Sequence, residues 1–186
     1  FGVYYSEGDP KLKLSDYAEY IKTIADELKR CVKEKELKKP FLMLEPGRSI
    51  VGEAGITLYT VGRTKEIKGI KNYLAVNGGM FDNPRFALYQ ARYTVAAAER
   101  MNDSPVKKYS IAGKCCESGD LIAEDCMLPE MREGELLAVF STGAYNYSMS
   151  SNYNRNPVPP VVVVENGTAY YAVKPQTYDD IIRNDV

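Results

Sequence analysis

Histidine is missing altogether from this chain of 186 residues. That excludes every Ser-His-Asp or Cys-His nucleophile system, and every histidine-containing zinc site, that one chain could build alone. Cysteine is scarce: Cys31, Cys115, Cys116 and Cys126 make no C-x-x-C pair, and adjacent Cys115 and Cys116 are poorly placed to ligate one metal together. No metal is expected, and without a secretory leader free thiols in a reducing compartment are expected over a disulfide framework. Long apolar runs are lacking too. The stretch Val158 to Val164 is far too short to span a bilayer and no signal peptide is visible, so no membrane partner is expected. Neither sign of charge dominates: 24 Lys and Arg stand against 25 Asp and Glu, with no basic block, which argues against a nucleic-acid partner.

What is present suits a globular protein. Hydrophobic residues make up 45% and charged residues 26%, enough apolar material for a sizeable core at this length. The chain opens on Phe1-Gly2-Val3, with no initiator methionine, and runs into a loop over Tyr4 to Pro10; it reads as cut rather than started.

One long helical pattern follows. Ser15 is the expected N-cap and Asp16 suits the positive end of the helix dipole. Tyr17, Ile21, Ile24, Leu28 and Val32 recur at spacings of one apolar stripe. Lys29, Arg30, Lys33 and Lys35 crowd the last turns as a solvated end, and Lys38-Lys39-Pro40 stops the helix. Phe41-Leu42-Met43-Leu44 then reads as a short strand covered on both faces, ending in the turn Glu45-Pro46-Gly47-Arg48-Ser49. Helix, buried strand and glycine turn together match the βα-barrel or doubly wound pattern.

From about Val51 the pattern turns to strands: Ile56 to Val61, Tyr73 to Val76, Lys107 to Ile111, Leu136 to Phe140, Pro160 to Val164 and Thr168 to Val173. Glu165-Asn166-Gly167-Thr168 reads as a tight hairpin turn. Thr177 with Asp180 reads as an acidic capping box for a last helical turn. The expected organisation is an α/β remnant over residues 1–52 and a mainly β domain over residues 53–186.

Four loop segments hold more Gly, Arg and Tyr than turns require. They are Glu45-Pro46-Gly47-Arg48, Asn77-Gly78-Gly79-Met80 through Arg85 to Tyr89, Cys116-Glu117-Ser118-Gly119-Asp120, and Gly143-Ala144-Tyr145 running to Asn154. Each alone is an ordinary loop of a β protein. In this order, closed by Gln176-Thr177-Tyr178, they resemble the fold-type III pyridoxal-phosphate-dependent amino acid decarboxylases, and among them most of all the diaminopimelate decarboxylases.

The resemblance implies a fold, an activity and a site. The fold would be α+β and mainly β: a C-terminal β-sandwich or barrel domain, preceded by the last strand-helix segment of a TIM-like (β/α)8 barrel. The activity would be decarboxylation of meso-2,6-diaminopimelate to L-lysine and CO2 in the bacterial cytoplasm, with pyridoxal 5′-phosphate as cofactor. Glu45, Gly47, Arg48 and Tyr145 match cofactor-binding positions. Gly47 and Arg48 would offer main-chain N–H groups to a phosphate. Arg48, Arg85, Tyr89, Glu117 and Tyr145 match substrate-binding positions, the arginines suited to carboxylates by their paired donors. Cys116 matches the catalytic proton donor, its thiol kept protonated beside the negative charge of Glu117. Read from the residues alone, Cys116 is an ordinary buried cysteine, and a surface ion pair after Pro84 stays open as the lesser alternative for Arg85. The family also implies a homodimer in which Cys116 and Glu117 reach the opposite subunit's site.

The chain departs from the family in places. No lysine sits in the family's cofactor-anchoring context, so the isolated chain is expected to be inactive. Asn77 stands where the family usually has Asp, and Pro175 lies in a terminal motif usually richer in arginine. Two other readings stay open. One is a relative acting on ornithine, arginine or a carboxylated polyamine, against which Glu117-Ser118-Gly119 speaks. The other is a β domain that serves only dimerisation or partner binding.

Overall fold

A computed structural model describes residues 2–6, 9 and 11–186. Part of the loop expected over Tyr4 to Pro10 (Glu7, Gly8 and Pro10) therefore lies outside the described residues, as does Phe1. Helix α1 (Leu14–Glu34) begins before the expected cap: Ser15 is its second residue, and Asp16 accepts a hydrogen bond from the Lys13 N–H at 2.6 Å. An acid one turn into the helix thus satisfies the amide that a cap residue would otherwise have to serve. Arg30 bridges Glu27 and Glu34, each at 2.5 Å, along the solvated face. The apolar stripe is present, but no residue of α1 is buried.

Phe41-Leu42-Met43-Leu44 is not a strand. Phe41 is 90% exposed and Met43 76%. A buried strand needs a neighbour for its N–H and C=O groups, and no described residue pairs with this segment. After it, Gly47 caps the short helix α2 (Arg48–Val51).

Six strands then form one curled sheet: β1 (Ile56–Ile67), β2 (Lys71–Val76), β3 (Val95–Ala97), β4 (Lys107–Ala112), β5 (Leu121–Leu128) and β6 (Leu136–Phe140). Their order is β3-β6-β1-β2-β4-β5, antiparallel throughout except for the parallel pair β2 and β4. The edge strands β3 and β5 approach each other, so the sheet nearly closes into a barrel. Inside lie Tyr59, Val61, Leu74, Val76, Tyr109, Ile111, Ile122, Leu128, Leu137 and Val139. β7 (Val161–Glu165) and β8 (Thr168–Val173) form a separate hairpin. Its turn residues Asn166 and Gly167 have φ of 49° and 78°, the left-handed pair that a two-residue hairpin requires. In α4 (Tyr178–Ile182) the Thr177–Asp180 capping box forms as expected.

Two strands and a helix escape the sequence patterns. β3 is only three residues long. β5 loses its alternation at Glu124-Asp125, two residues opposite the single Ser110, where Asp125 takes φ 54° to make the bulge. Helix α3 (Arg85–Tyr89) is too short to show a period. No helix among the described residues is long and apolar enough to cross a membrane.

The first residues are stitched to the sheet. Val3 is buried, the Tyr4 N–H donates to Glu53 Oε1 at 3.1 Å, and Ser141 Oγ donates to the Tyr4 carbonyl at 2.7 Å. Behind them the chain closes against itself at two glycines: Thr142 N–H donates to Gly55 O and Gly143 N–H to Gly52 O, both at 3.0 Å. A Cβ on Gly143 would stand 1.8 Å from the Val51 carbonyl oxygen, so only glycine allows this seam. The seam sets α2 beside the loop that follows β6, and so brings together groups distant in sequence.

Candidate active site

Two buried carboxylates organise the loops at one end of the sheet. After β2, Asn77 exchanges hydrogen bonds with Thr60: its Oδ1 accepts from the Thr60 N–H at 2.9 Å, and its own N–H donates to Thr60 O at 3.1 Å. A neutral amide therefore serves the ladder at that position. In the next turn Asp82 accepts from the Gly79 N–H at 2.7 Å and from the Tyr59 hydroxyl at 2.5 Å. Burial pushes the Asp82 carboxyl up to about 6, against the pull of those two donors. Burial and the nearby Asp82 charge push the Tyr59 hydroxyl upward in turn.

Asp120, also buried, accepts from the N–H groups of Met80 and Cys115, each at 2.6 Å. It ties the Gly78-Gly79 turn to the loop that carries Cys116 and Glu117. Cβ atoms on Gly79 and Gly113 would come within 2.7 and 2.2 Å of its carboxylate, which accounts for glycine at both. Burial first, then the Asp120 charge, pushes the Cys115 thiol up to about 11.

Cys116 and Glu117 are exposed on this loop. The Cys116 N–H donates to Asn154 Oδ1 at 2.6 Å, and the Tyr153 hydroxyl donates to Glu117 Oε2 at 3.1 Å, which raises the Tyr153 pKa. The segment holding Tyr153 and Asn154 is itself held by Gln176, whose Oε1 accepts from Asn152 Nδ2 at 2.6 Å and from the Val158 N–H at 2.9 Å.

A separate constellation surrounds Arg85 at the start of α3. Arg48, Arg85, Tyr89, Tyr145 and Met149 line an open cavity of about 330 Å³. The Arg85 guanidinium carbon lies 4.7 Å from the Tyr145 ring centre and 5.5 Å from that of Tyr89. Tyr145 reaches it from a backbone with φ 74°, a strained conformation for a residue with a side chain. Arg85 Nε is buried without a hydrogen-bond partner, as are the hydroxyls of Tyr5 and Tyr93. Two cations lining one cavity, neither in an ion pair among the described residues, suit a carboxylate or phosphate.

Arg48, Arg85, Tyr89 and Tyr145 thus line one cavity. Cys116 and Glu117 do not line this cavity. Glu45 is exposed in the segment before α2. Gly47 has nothing within 4 Å of where a Cβ would stand, and the first N–H groups of α2 have no intrahelical acceptor, so a phosphate would fit there. No group of three or more metal-ligating side chains occurs among the described residues. Tyr5, Tyr93, Met149 and Tyr153 were not singled out from sequence; with fifteen tyrosines in the chain no local signal separates them.

The family model for the pyridoxal-dependent decarboxylase C-terminal sheet domain matches residues 3–143. The diaminopimelate decarboxylase of Bacillus subtilis is 53% identical over all 186 residues of this chain, which span 42% of that protein. That of Halalkalibacterium halodurans is 50% identical over the same residues, again 42% of its length. The crystal structure of M. jannaschii diaminopimelate decarboxylase in complex with L-lysine superposes with a TM-score of 0.83 at 32% identity, covering 98% of this chain and 40% of that one. The chain therefore spans about two fifths of the length of the relatives it matches.

Proposed function

This chain belongs to the pyridoxal-dependent decarboxylases through their C-terminal sheet domain, and on that premise we propose that it carries the carboxylate-reading and proton-donating groups of a diaminopimelate decarboxylase. The reaction is removal of CO2 from meso-2,6-diaminopimelate to leave L-lysine. The observation that carries the reading is the convergence of Arg48 and Arg85 on one cavity with Tyr89 and Tyr145. Identity of 50–53% to diaminopimelate decarboxylases over the whole chain supports this substrate over ornithine or arginine.

Arg48 and Arg85 hold the carboxylate that stays on the substrate, each through paired N–H donors. Tyr89 and Tyr145 flank Arg85 and close the cavity side. Gly47 and Arg48 would hold the phosphate of pyridoxal 5′-phosphate by main-chain N–H groups, with Tyr145 beside it and Glu45 in the adjoining segment. When bound, that cofactor supplies the electron sink for the carbanion left by loss of CO2. No lysine of this chain is assigned to anchor it. Cys116 Sγ holds the proton to be delivered at the carbon that has lost CO2, and Glu117 reads the substrate's far ammonium group. Proton donation of this kind contributes roughly 10²–10⁴-fold.

Because Cys116 and Glu117 stand outside the cavity of their own chain, the reading places them in the site of a second copy. The working unit is then a homodimer with two sites at its interface. Residues 1–52 go with a pyridoxal-phosphate-binding barrel, and residues 53–186 form the β domain. The four free thiols suit a cytoplasmic setting.

The test is lysine release from meso-diaminopimelate with added pyridoxal phosphate, for this chain alone and mixed with the separately expressed N-terminal half of a relative. Activity in the mixture only is expected. Activity from the chain alone would mean that one of its own lysines anchors the cofactor. Preference for ornithine in the mixture would overturn the substrate assignment.

A further inference from the structure

We infer that Tyr5 is a positioning residue: its ring face holds Arg48 and Arg85 side by side while leaving their N–H donors free for a carboxylate. The inference rests on the reading of those arginines given above.

The geometry has three parts. The Arg48 and Arg85 guanidinium carbons stand 6.0 and 5.8 Å from the centre of the Tyr5 ring. That ring stands edge-on to Tyr93, with centres 5.4 Å apart and planes at 89°. The Tyr5 backbone is clamped: its carbonyl accepts from Thr94 N–H at 2.7 Å and Thr94 Oγ1 at 2.9 Å, and its N–H donates to Asp9 Oδ2 at 3.1 Å.

Two guanidinium groups facing one cavity repel each other and need compensation. The usual compensation is a carboxylate, but a protein carboxylate would occupy the same paired donors that a ligand needs. Neither Arg48 nor Arg85 makes an ion pair among the described residues. An aromatic face attracts the cation without using its N–H groups. Burial pushes the Tyr93 hydroxyl up to about 12, against the pull of the neighbouring Arg85 charge.

The prediction separates ring from hydroxyl. In the holoenzyme containing this chain, Tyr5→Phe keeps the ring face and leaves KM for meso-diaminopimelate within about twofold, since the Tyr5 hydroxyl is unpaired. Tyr5→Leu and Tyr5→Met lose the face; each raises KM roughly tenfold with kcat within about twofold. Calorimetric titration supplies the second readout. Affinity for L-lysine, which bears a carboxylate, falls by the same factor in Leu and Met, while affinity for cadaverine, which bears none, is unchanged. A general loosening of the fold would weaken both ligands and lower kcat. Two variants of different shape are read together, so that failure of one to fold leaves the other to decide.

Leu and Met variants that match the wild type in KM and lysine affinity would overturn the inference, as would equal damage in Tyr5→Phe. A wild-type holoenzyme that neither turns over meso-diaminopimelate nor binds lysine would overturn the functional reading, and this inference with it.

Discussion

The curled sheet and helix α1 are built from the same kinds of apolar residue, yet only the sheet buries them. Leu74, Ile111, Ile122, Leu137 and Val139 have no exposed surface, whereas α1, with its full stripe from Tyr17 to Val32, buries no residue. An apolar period makes an amphipathic helix; it does not supply the surface against which that helix packs. The sheet is different because its edges approach each other, and each strand's inward residues meet those of the strands across the barrel. In this chain the enclosed apolar surface therefore lies in the sheet, and α1, whose Tyr17 hydroxyl donates to the Gly2 carbonyl at 3.1 Å, adds no buried side chain.

The largest expected effect tests that division directly. Ile111→Ala or Leu137→Ala removes a fully enclosed side chain and is expected to cost about 2–5 kcal/mol in denaturant unfolding. Leu28→Ala in α1 is expected to cost less than about 1 kcal/mol. Equal losses would show that α1 belongs to the packed core.

The seam between the two regions comes next. Gly143→Ala forces a Cβ to within 1.8 Å of the Val51 backbone oxygen, which cannot swing away as a side chain could. A loss of about 2–4 kcal/mol is expected, with Tyr145 displaced from Arg85. Gly47→Ala, with nothing within 4 Å, should cost less than about 1 kcal/mol in the folded chain. Near-equal melting curves for the two alanine variants would break the account of the seam.

The smallest of the three is a pH effect inside the sheet region. Asp82 has its carboxyl raised from 3.8 to about 6, so the folded state binds this proton more tightly than the unfolded state does. The unfolded chain then ionises first, and Asp82's contribution makes stability fall as pH rises from about 4 to 6. The penalty is constant above that range and absent below it. Its size is about 2–3 kcal/mol. Subtracting the stability profile of Asp82→Asn from that of the wild type should isolate this downward slope. A flat difference would show that the carboxylate is not desolvated. In α1, Glu27 is shifted the other way, to about 2, chiefly by its hydrogen bond with Arg30. As an exposed pair it should add little.

How legible the molecule was follows from the range over which each feature is decided. The β7–β8 hairpin was readable because Asn166 and Gly167 carry the left-handed turn in their own backbones, and α4 because Thr177 and Asp180 cap each other within one turn. β5 was not, since its bulge at Glu124-Asp125 hides the alternation. The Phe41 to Leu44 strand was legible as a pattern but needs partners that no described residue provides. At the site, Arg48, Arg85, Tyr89 and Tyr145 could be carried over from family motifs, while Tyr5 and Tyr93 could not be told from the other tyrosines.

Sequence by itself thus determined what neighbours along the chain decide: turns, caps and the amphipathic stripe. Only the tertiary structure decided which apolar surface is buried, which carboxylates are desolvated, and which tyrosine lies under two arginines. The reason is that burial and electrostatics act through space. Asp82 is shifted upward by burial against the pull of its donors Tyr59 and Gly79, and Arg48 shares a cavity with Arg85 and Tyr145 beside a seam where glycine lets two backbones touch.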